Sequence, residues 1–182
     1  MSENLNKIYQ GLYNTPSDIN EHLPTLASYA SECEHITEMG VRYIVSTYAL
    51  LMGKPKKMIS YDIEMCDWEP VRDLVKDDTD FQFLVGNTLE IEIEPTELLF
   101  IDTLHNYRQL KKELELHAKK VSKYIIFHDT TSFETVGESY TGDSENGIWP
   151  AIEEFLQLNP QWILKERFTN NNGLTIIEKA ST

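Results

Sequence analysis

The chain has 182 residues, of which 41% are hydrophobic, and its formal net charge is −14 at pH 7. That length is enough for one domain with a sizeable core, expected over residues 1–182. The acidity argues against a nucleic-acid partner and against docking on anionic lipid, because both need a basic surface. The sequence shows no signal peptide and no apolar run near the roughly 18 residues of a membrane span. Two cysteines without metal-type spacing complete the picture of a reduced, cytoplasmic protein.

The first half of the chain predicts an arm followed by alternating helices and strands. Residues 1–16 are polar and fit either an ordered arm or a loose tail. Ser17 can cap a helix that runs to about Cys33, and Pro24 within it indicates a late start or a kink. The next predicted elements are a strand over 35–39, a helix over 46–52, a strand over 57–61, a helix over 68–76 and a strand over 81–85.

The next stretch predicts a strand, a crossover helix and a parallel strand. Apolar runs over 98–101 and 124–127 enclose a helical pattern, whose apolar side is Tyr107, Leu110, Leu114, Ala118 and Val121. The run KKELELHAKK within it is interpreted as a solvated helix face. Because ligands of open α/β sheets lie beyond the carboxyl ends of the strands, polar residues that follow these two runs should meet there. They are Asp102, His105, His128 and Asp129.

The last part predicts a long loop, a helix and a hairpin. Residues 130–147 lack periodicity, so we interpret them as a lid or substrate loop, with a disordered surface insertion as the alternative. A helix begins near Ile148, and strands over 162–168 and 174–178 flank the hairpin signal NNNG. The fold class is therefore α/β, Rossmann-like and doubly wound. Its sheet has about seven strands and is mostly parallel, with an antiparallel C-terminal hairpin strand at an edge.

The four polar residues after the fourth and fifth strands are the sharpest functional signal. Carboxylates and imidazoles are ligands for a divalent ion and candidates for a general base. In the alternative reading, Asp102 and Asp129 cap the next elements and His105 lies on a helix surface.

Weaker signals follow the first three strands. Gly40 permits a tight turn, and Ser46 near the next helix start can hold a carboxylate or phosphate. Asp62 can accept the hydroxyls of a ribose or cap a helix. Asn87 and Thr88 follow the third strand, where they fit an adenine edge or a plain turn.

In this order, the motifs resemble class I S-adenosylmethionine-dependent methyltransferases. E-x-G, a later Asp, G-N-T, FID-x-x-H-x-Y and IIFHD follow successive strands, and the likeness covers about residues 20–179. The nearest branch includes cephalosporin-hydroxylase-like proteins and sugar or macrolide O-methyltransferases. Two positions depart from it: Ile44 stands at the second glycine of the first loop, and Leu104 at a second acid of the fourth-strand motif.

The resemblance implies S-adenosylmethionine as cofactor and, as in the metal-dependent members, Mg²⁺. The implied cofactor-binding residues are Glu38, Gly40, Ser46, Asp62, Asn87 and Thr88. The implied metal ligands are Asp102 and Asp129, with His128 or Thr130 beside the latter. His105 would lie at the substrate mouth, so Asp102, His105 and His128 are the catalytic candidates.

The sequence thus predicts an O-methyltransferase acting on a small, hydroxylated, sugar-like acceptor. A catalytically degenerate scaffold on the same fold is the alternative, because Ile44 and Leu104 depart from the pattern. A nicotinamide-binding protein ranks below both, since G-x-G-x-x-G is missing. The expected partner is a small-molecule substrate, with no nucleic acid and no membrane; a homo-oligomer is left open.

Overall fold

The computed structural model describes residues 3–139, 141 and 144–180, which contain seven strands and six α-helices. The strands are β1 His35–Met39, β2 Lys57–Asp62, β3 Asp80–Val85, β4 Thr96–Ile101, β5 Val121–His128, β6 Trp162–Phe168 and β7 Leu174–Lys179. The helices are α1 Glu3–Asn14, α2 Leu23–Ala30, α3 Val45–Met52, α4 Glu69–Val75, α5 Tyr107–His117 and α6 Trp149–Leu158.

The strands form one sheet in the order β3-β2-β1-β4-β5-β7-β6. Strands β1 to β5 are parallel, and Met39 pairs with Ile101, which in turn pairs with Phe127. Their carboxyl ends therefore meet at one edge of the sheet, as predicted. The predicted antiparallel strand is β7, but it lies inside the sheet between β5 and β6. The expectation that it lies at an edge is wrong, because the hairpin inserts its second strand next to β5 and leaves β6 outermost.

Helices cover both faces of the sheet, so the central strands are mostly apolar. Residues 98–101 of β4 are all buried. Helices α1 to α4 pack on one face, and α5 and α6 pack on the other. This burial on both sides explains why the central strands show continuous apolar runs rather than alternation.

The N-terminal region is more helical than the sequence indicates. The polar arm forms α1, and the helix predicted from Ser17 starts only at Leu23, after a short 3-10 turn over Asn20–His22. Pro24 lies in the first turn of α2, where a residue without a backbone N–H is tolerated. Among the described residues, no helix is both long and apolar enough to cross a membrane.

The prediction of a solvated face for KKELELHAKK is wrong at two positions. Glu113 and His117 are buried. Glu113 accepts a hydrogen bond from the Thr88 hydroxyl at 2.6 Å, and His117 Nε2 lies 2.7 Å from the Thr88 carbonyl oxygen. Residues 86–95 contain no helix, so α5 packs directly against this connection and supplies partners for its polar groups.

Candidate functional site

An acid–imidazole cluster lies at the carboxyl ends of β4 and β5. His105 Nε2 is 3.1 Å from Asp102 Oδ1 and 3.0 Å from Asp129 Oδ2. His128 Nδ1 is 3.3 Å from Asp102 Oδ2 and 3.7 Å from Asp129 Oδ2. The four residues expected to gather at this edge are therefore in contact.

Local structure argues against Asp102 as the cap of α5 and against His105 as a helix-surface residue. Asn106, not Asp102, caps α5, since its side chain accepts from the Gln109 N–H at 2.9 Å. His105 precedes the helix, and only 18% of its side chain is exposed. Asp129 adopts a left-handed backbone conformation with φ of 59°, which is uncommon for a residue with a side chain.

The cluster separates the pKa values of its members. Burial by itself raises the pKa of Asp102, but the hydrogen bond from His105 and the charges of both imidazoles outweigh it and hold this pKa below its usual value. Burial lowers the pKa of His128, yet Asp102 and Asp129 raise it to about 9. The same balance raises the pKa of His105. The imidazole of His128 therefore favours the protonated form at neutral pH.

Asp129 differs from Asp102. Burial raises the pKa of Asp129, and the charges of the two imidazoles, together with the nearby Asn172 side chain, offset only part of that effect. Its Oδ1 atom is buried without a hydrogen-bond partner among the described residues. A buried acceptor without a donor is uncommon and fits a site that receives an O–H or N–H group or a cation.

The donor set suits a divalent ion. Asp102, His128 and Asp129 each offer a ligand atom, and these atoms lie within 4.8 Å of one another. His128 Nδ1 also lacks an aligned hydrogen bond. However, His105 Nε2 lies between the two carboxylates at hydrogen-bond distance, so an ion would compete with this imidazole.

Three residues of the loop between β1 and α3 have positive φ, a conformation that favours glycine, although only one of them is a glycine. Gly40, Arg42 and Ile44 have φ values of 86°, 49° and 65°. Gly40 is required sterically, because a Cβ atom there would overlap the Asp102 carbonyl oxygen. The Ile44 side chain is buried in the hydrophobic core beneath α1 to α3. The loop thus has the backbone course that glycine favours, although two side chains are present.

Asp62 anchors this loop. Its Oδ2 accepts from the Val41 N–H at 2.7 Å and the Arg42 N–H at 2.9 Å, and its Oδ1 accepts from the Glu64 N–H at 3.0 Å. The carboxylate lies where a ribose was expected, but the backbone already uses both of its oxygens. A carboxylate has about four acceptor sites, so hydroxyl donors can still be added.

Glu38 is fully buried behind the same loop. It accepts hydrogen bonds from Ser46 at 2.6 Å, Thr47 at 2.8 Å and Ser60 at 2.6 Å. Burial raises the pKa of Glu38 to about 7, against the effect of these three hydroxyl donors. The structure thus brings Glu38 and Ser46 together as predicted neighbours, but they bind each other.

The two residues predicted to lie near an adenine have local partners. The Asn87 side chain accepts from the Leu89 N–H at 3.0 Å, which closes a turn. The buried Thr88 hydroxyl points to Glu113. Neither contacts the acid–imidazole cluster.

Sequence reasoning missed Glu138, which comes from the post-β5 loop, residues 130–147. Its Oε2 is 3.2 Å from His105 Nδ1. This loop is not wholly irregular, since Val136 and Asn146 form an antiparallel bridge. The loop was predicted to be a lid or substrate loop, but no pattern distinguishes Glu138 from Glu134 or Glu145 nearby.

Neither a protein-family profile nor a curated protein matches this sequence. Solved structures match over nearly the whole chain. An O-methyltransferase from Bacillus cereus in complex with S-adenosylhomocysteine has a TM-score of 0.63 at 16% identity, over 98% of this chain and 90% of that one. The N-methyltransferase NodS from Bradyrhizobium japonicum with the same ligand has a TM-score of 0.66 at 12% identity, over 98% and 100%. A methyltransferase from Podospora anserina, also with S-adenosylhomocysteine, has a TM-score of 0.62 at 15% identity, over 100% and 89%.

These likenesses establish the fold of class I methyltransferases, as the motifs predicted. At such low identity they define the architecture and not the reaction. The residues at the carboxyl edge of the sheet therefore decide which reaction is possible.

Proposed function

We propose that this chain transfers a methyl group from S-adenosylmethionine to a hydroxyl group of a small, sugar-like acceptor. The observation that carries the proposal is the contact between the β1–α3 loop and the acid–imidazole cluster. The Asp102 N–H donates to the Met39 carbonyl at 2.8 Å, and Gly40 packs on the Asp102 carbonyl. A donor bound at the loop would therefore lie next to the cluster.

The β1–α3 loop and the start of the β2–α4 connection offer a surface for a nucleoside. Ile63 directly follows Asp62, and Tyr43 follows Arg42, whose N–H binds the Asp62 carboxylate; the exposures of Tyr43 and Ile63 are 76% and 70%. Exposed apolar side chains beside a carboxylate suit a base and a ribose, respectively. When bound, S-adenosylmethionine supplies an electrophilic methyl group on a sulfonium.

The cluster would hold the acceptor and take its proton. His128 favours the protonated form, and both ring nitrogens of His105 are engaged by carboxylates, so the two imidazoles serve as partners of the carboxylates rather than as bases. Asp129 Oδ1 is the buried oxygen without a donor, and the raised pKa of Asp129 makes it a stronger base than an ordinary carboxylate. An acceptor hydroxyl that donates to this atom would be oriented and deprotonated at one place.

A divalent ion such as Mg²⁺ is compatible with this arrangement. Asp102, His128 and Asp129 would hold it. When bound, such an ion lowers the pKa of a coordinated hydroxyl. His128 would first have to lose its proton, because only a neutral imidazole binds a metal, and His105 would have to leave its place between the two carboxylates.

A catalytically degenerate scaffold remains the second candidate, and one observation favours it. Arg42 and Ile44 bring side chains into a loop whose conformation suits glycine, and Asp62 already accepts three backbone hydrogen bonds. If these features close the donor site, the chain would keep the fold without binding the nucleoside.

Calorimetric titration with S-adenosylhomocysteine separates the two candidates. We expect binding in the range of about 1 μM to 1 mM that is typical of enzyme substrates. Ile63→Ser should weaken it roughly tenfold, because it removes apolar contact worth about 1.4 kcal/mol. Leu158→Ser is the matched control, since Leu158 is equally exposed, at 71%, near the end of α6. Absence of binding in the unmodified chain would refute the proposal. If the chain binds S-adenosylhomocysteine, transfer of labelled methyl to monosaccharides tests the acceptor class.

A further inference from the structure

The structure assigns Glu138 and Phe133 a role as positioning residues that hold the His105 imidazole against Asp102 and Asp129. The inference deepens the proposed methyl transfer and rests on it for its functional meaning. The acid–imidazole cluster is therefore incomplete without the post-β5 loop. No sequence pattern assigns either residue to the site.

The post-β5 loop is attached directly to the residues around His105. The Glu138 N–H donates to the His105 carbonyl at 2.9 Å, and the Asn106 side chain donates to the Glu138 carbonyl at 3.2 Å. The Tyr107 N–H donates to the Asn146 carbonyl at 2.8 Å, from the returning part of the loop. Both sides of the loop are thus fixed to the start of α5.

Close packing leaves little freedom in this attachment. A Cβ atom on Gly137 would overlap the Asn146 carbonyl oxygen and lie 2.9 Å from the Asn106 Cβ. The Gly137 N–H also donates to the Glu145 carbonyl at 2.8 Å. Glycine is therefore needed directly before Glu138 to let the two sides of the loop approach.

The loop contacts the His105 ring in two independent ways. The Phe133 ring stacks on it with a centroid distance of 4.7 Å and an interplanar angle of 7°. Glu138 Oε2 lies 3.2 Å from Nδ1, on the opposite side of the ring from Asp102 and Asp129. Stacking fixes the plane of the imidazole, and carboxylates at both nitrogens fix its rotation within that plane.

Glu138 is distinct from the other described carboxylates of this loop. Glu134 pairs with Arg167 at 2.6 Å, and Glu145 pairs with Arg108 at 2.5 Å. Glu138 makes no contact with an arginine or lysine among the described residues and faces the imidazole instead. The loop therefore directs one specific carboxylate to the cluster.

The orientation of the His105 ring decides which oxygen of Asp129 can bind the acceptor. With Nδ1 engaged by Glu138, Nε2 has to face Asp102 and Asp129, where it is hydrogen-bonded to Asp102 Oδ1 and lies 3.0 Å from Asp129 Oδ2. Asp129 Oδ1 is then the oxygen left for the acceptor. Loss of Glu138 would let the ring turn and would free Oδ2 as well, so the acceptor would lose its single binding position.

Nitrogen NMR of the full chain tests this role directly, with ¹⁵N-labelled histidine and the five imidazoles resolved. The His105 Nδ1–H should be protected from solvent exchange in the unmodified protein. Glu138→Ala should abolish that protection and shift His105, while Glu138→Gln should restore part of it. Glu145→Ala, on the same loop, is the matched control and should leave His105 unchanged. An unaltered His105 spectrum in Glu138→Ala would overturn the inference.

A second readout separates this inference from the proposed function. In Glu138→Ala the affinity for S-adenosylhomocysteine should stay within about twofold, while kcat for methyl transfer should fall roughly 10- to 100-fold. Unchanged kcat would overturn the inference. Failure of the unmodified chain to bind the nucleoside would instead overturn the proposed function, because the NMR result does not depend on it.

Discussion

Two carboxylates on neighbouring strands, Glu38 on β1 and Asp102 after β4, have opposite environments. Glu38 is fully buried among three neutral hydroxyl donors, and its pKa rises to about 7. Asp102 keeps 25% of its side chain exposed and lies beside two imidazoles, and its pKa falls below the usual value.

The difference shows what a buried carboxylate needs in order to remain charged. Hydroxyl groups donate hydrogen bonds but carry no charge, so they only partly offset the cost of removing a carboxylate from water. Imidazolium groups add an opposite charge, which reverses the sign of the shift. Glu38 is therefore suited to hold a loop, and Asp102 is suited to hold charge at the site.

Removal of Asp102 should have the largest effect on stability. Asp102→Ala leaves the two imidazoles with one buried carboxylate, and breaking such a pair costs roughly 4 kcal/mol of unfolding free energy. The pKa of His128 should fall from about 9 toward its ordinary value. Urea unfolding and NMR titration measure the two changes. Asp73→Ala, which removes an exposed partner of Arg72, should cost less than about 1 kcal/mol. Equal costs for the two variants would contradict the comparison.

A side chain at Gly40, where the β1–α3 loop contacts Asp102, should cause the next largest loss of stability. Gly40→Ala forces a Cβ atom into the Asp102 carbonyl at a φ of 86°, so we expect a loss of roughly 3 kcal/mol. Gly11→Ala is the control, because nothing lies within 4 Å of its Cβ position in α1. That change should stabilise the chain by about 0.5–1 kcal/mol. A tolerated alanine at Gly40 would show that the two loops are not tightly packed.

Glu38 should make stability depend on pH in the opposite direction from a paired carboxylate. Its pKa in the folded chain, about 7, exceeds the ordinary value of 4.5, so the folded state binds the proton more tightly. The contribution is fully present below about pH 4.5 and is lost as pH rises toward 7.

Chemical unfolding of Glu38→Gln between pH 4.5 and 7 measures this contribution. Relative to the unmodified chain, the variant should gain roughly 2 kcal/mol across that range, because it has no proton to lose. His128 contributes a separate decline toward pH 9 that both proteins share, since its pKa is raised. A constant difference between the two proteins would show that Glu38 is not held near neutrality by burial.

Arg42→Gly should have the smallest effect. Glycine relieves the left-handed backbone at a φ of 49°, but it also increases the entropy of the unfolded chain. These effects oppose each other, so unfolding free energy should change by less than about 1 kcal/mol. Arg72→Gly in α4 should lower it by at least about 1 kcal/mol, since glycine weakens the helix and the change also removes the contacts of Arg72 with Asp73 and Trp68. If Arg42→Gly also creates affinity for S-adenosylhomocysteine in a chain that lacked it, the scaffold reading of this loop would be supported.

Local pattern was sufficient for the order of the elements from α2 to β7 and for the acids and imidazoles of the cluster, but not for α1. Apolar runs marked the central strands, and NNNG marked the hairpin, where Asn171, Asn172 and Gly173 all have positive φ. The convergence of Asp102 and Asp129 followed from parallel pairing of consecutive strands, which brings the ends of β4 and β5 to one edge. These features depend on neighbours in sequence or on one crossover, so the residues themselves determine them.

Only the tertiary structure decided which polar groups became partners. Glu138 lies 33 residues from His105 and resembles its acidic neighbours in type. Glu113 looked like a surface residue, but it is buried because the chain forms no helix over 86–95. The Asp62 carboxylate accepts hydrogen bonds from the β1–α3 loop, because that loop lies against the end of β2. Part of its hydrogen-bonding capacity is therefore not available to a ligand. The physical reason is the same in each case: burial and hydrogen bonding across long separations depend on how whole elements pack, and no local pattern carries that information.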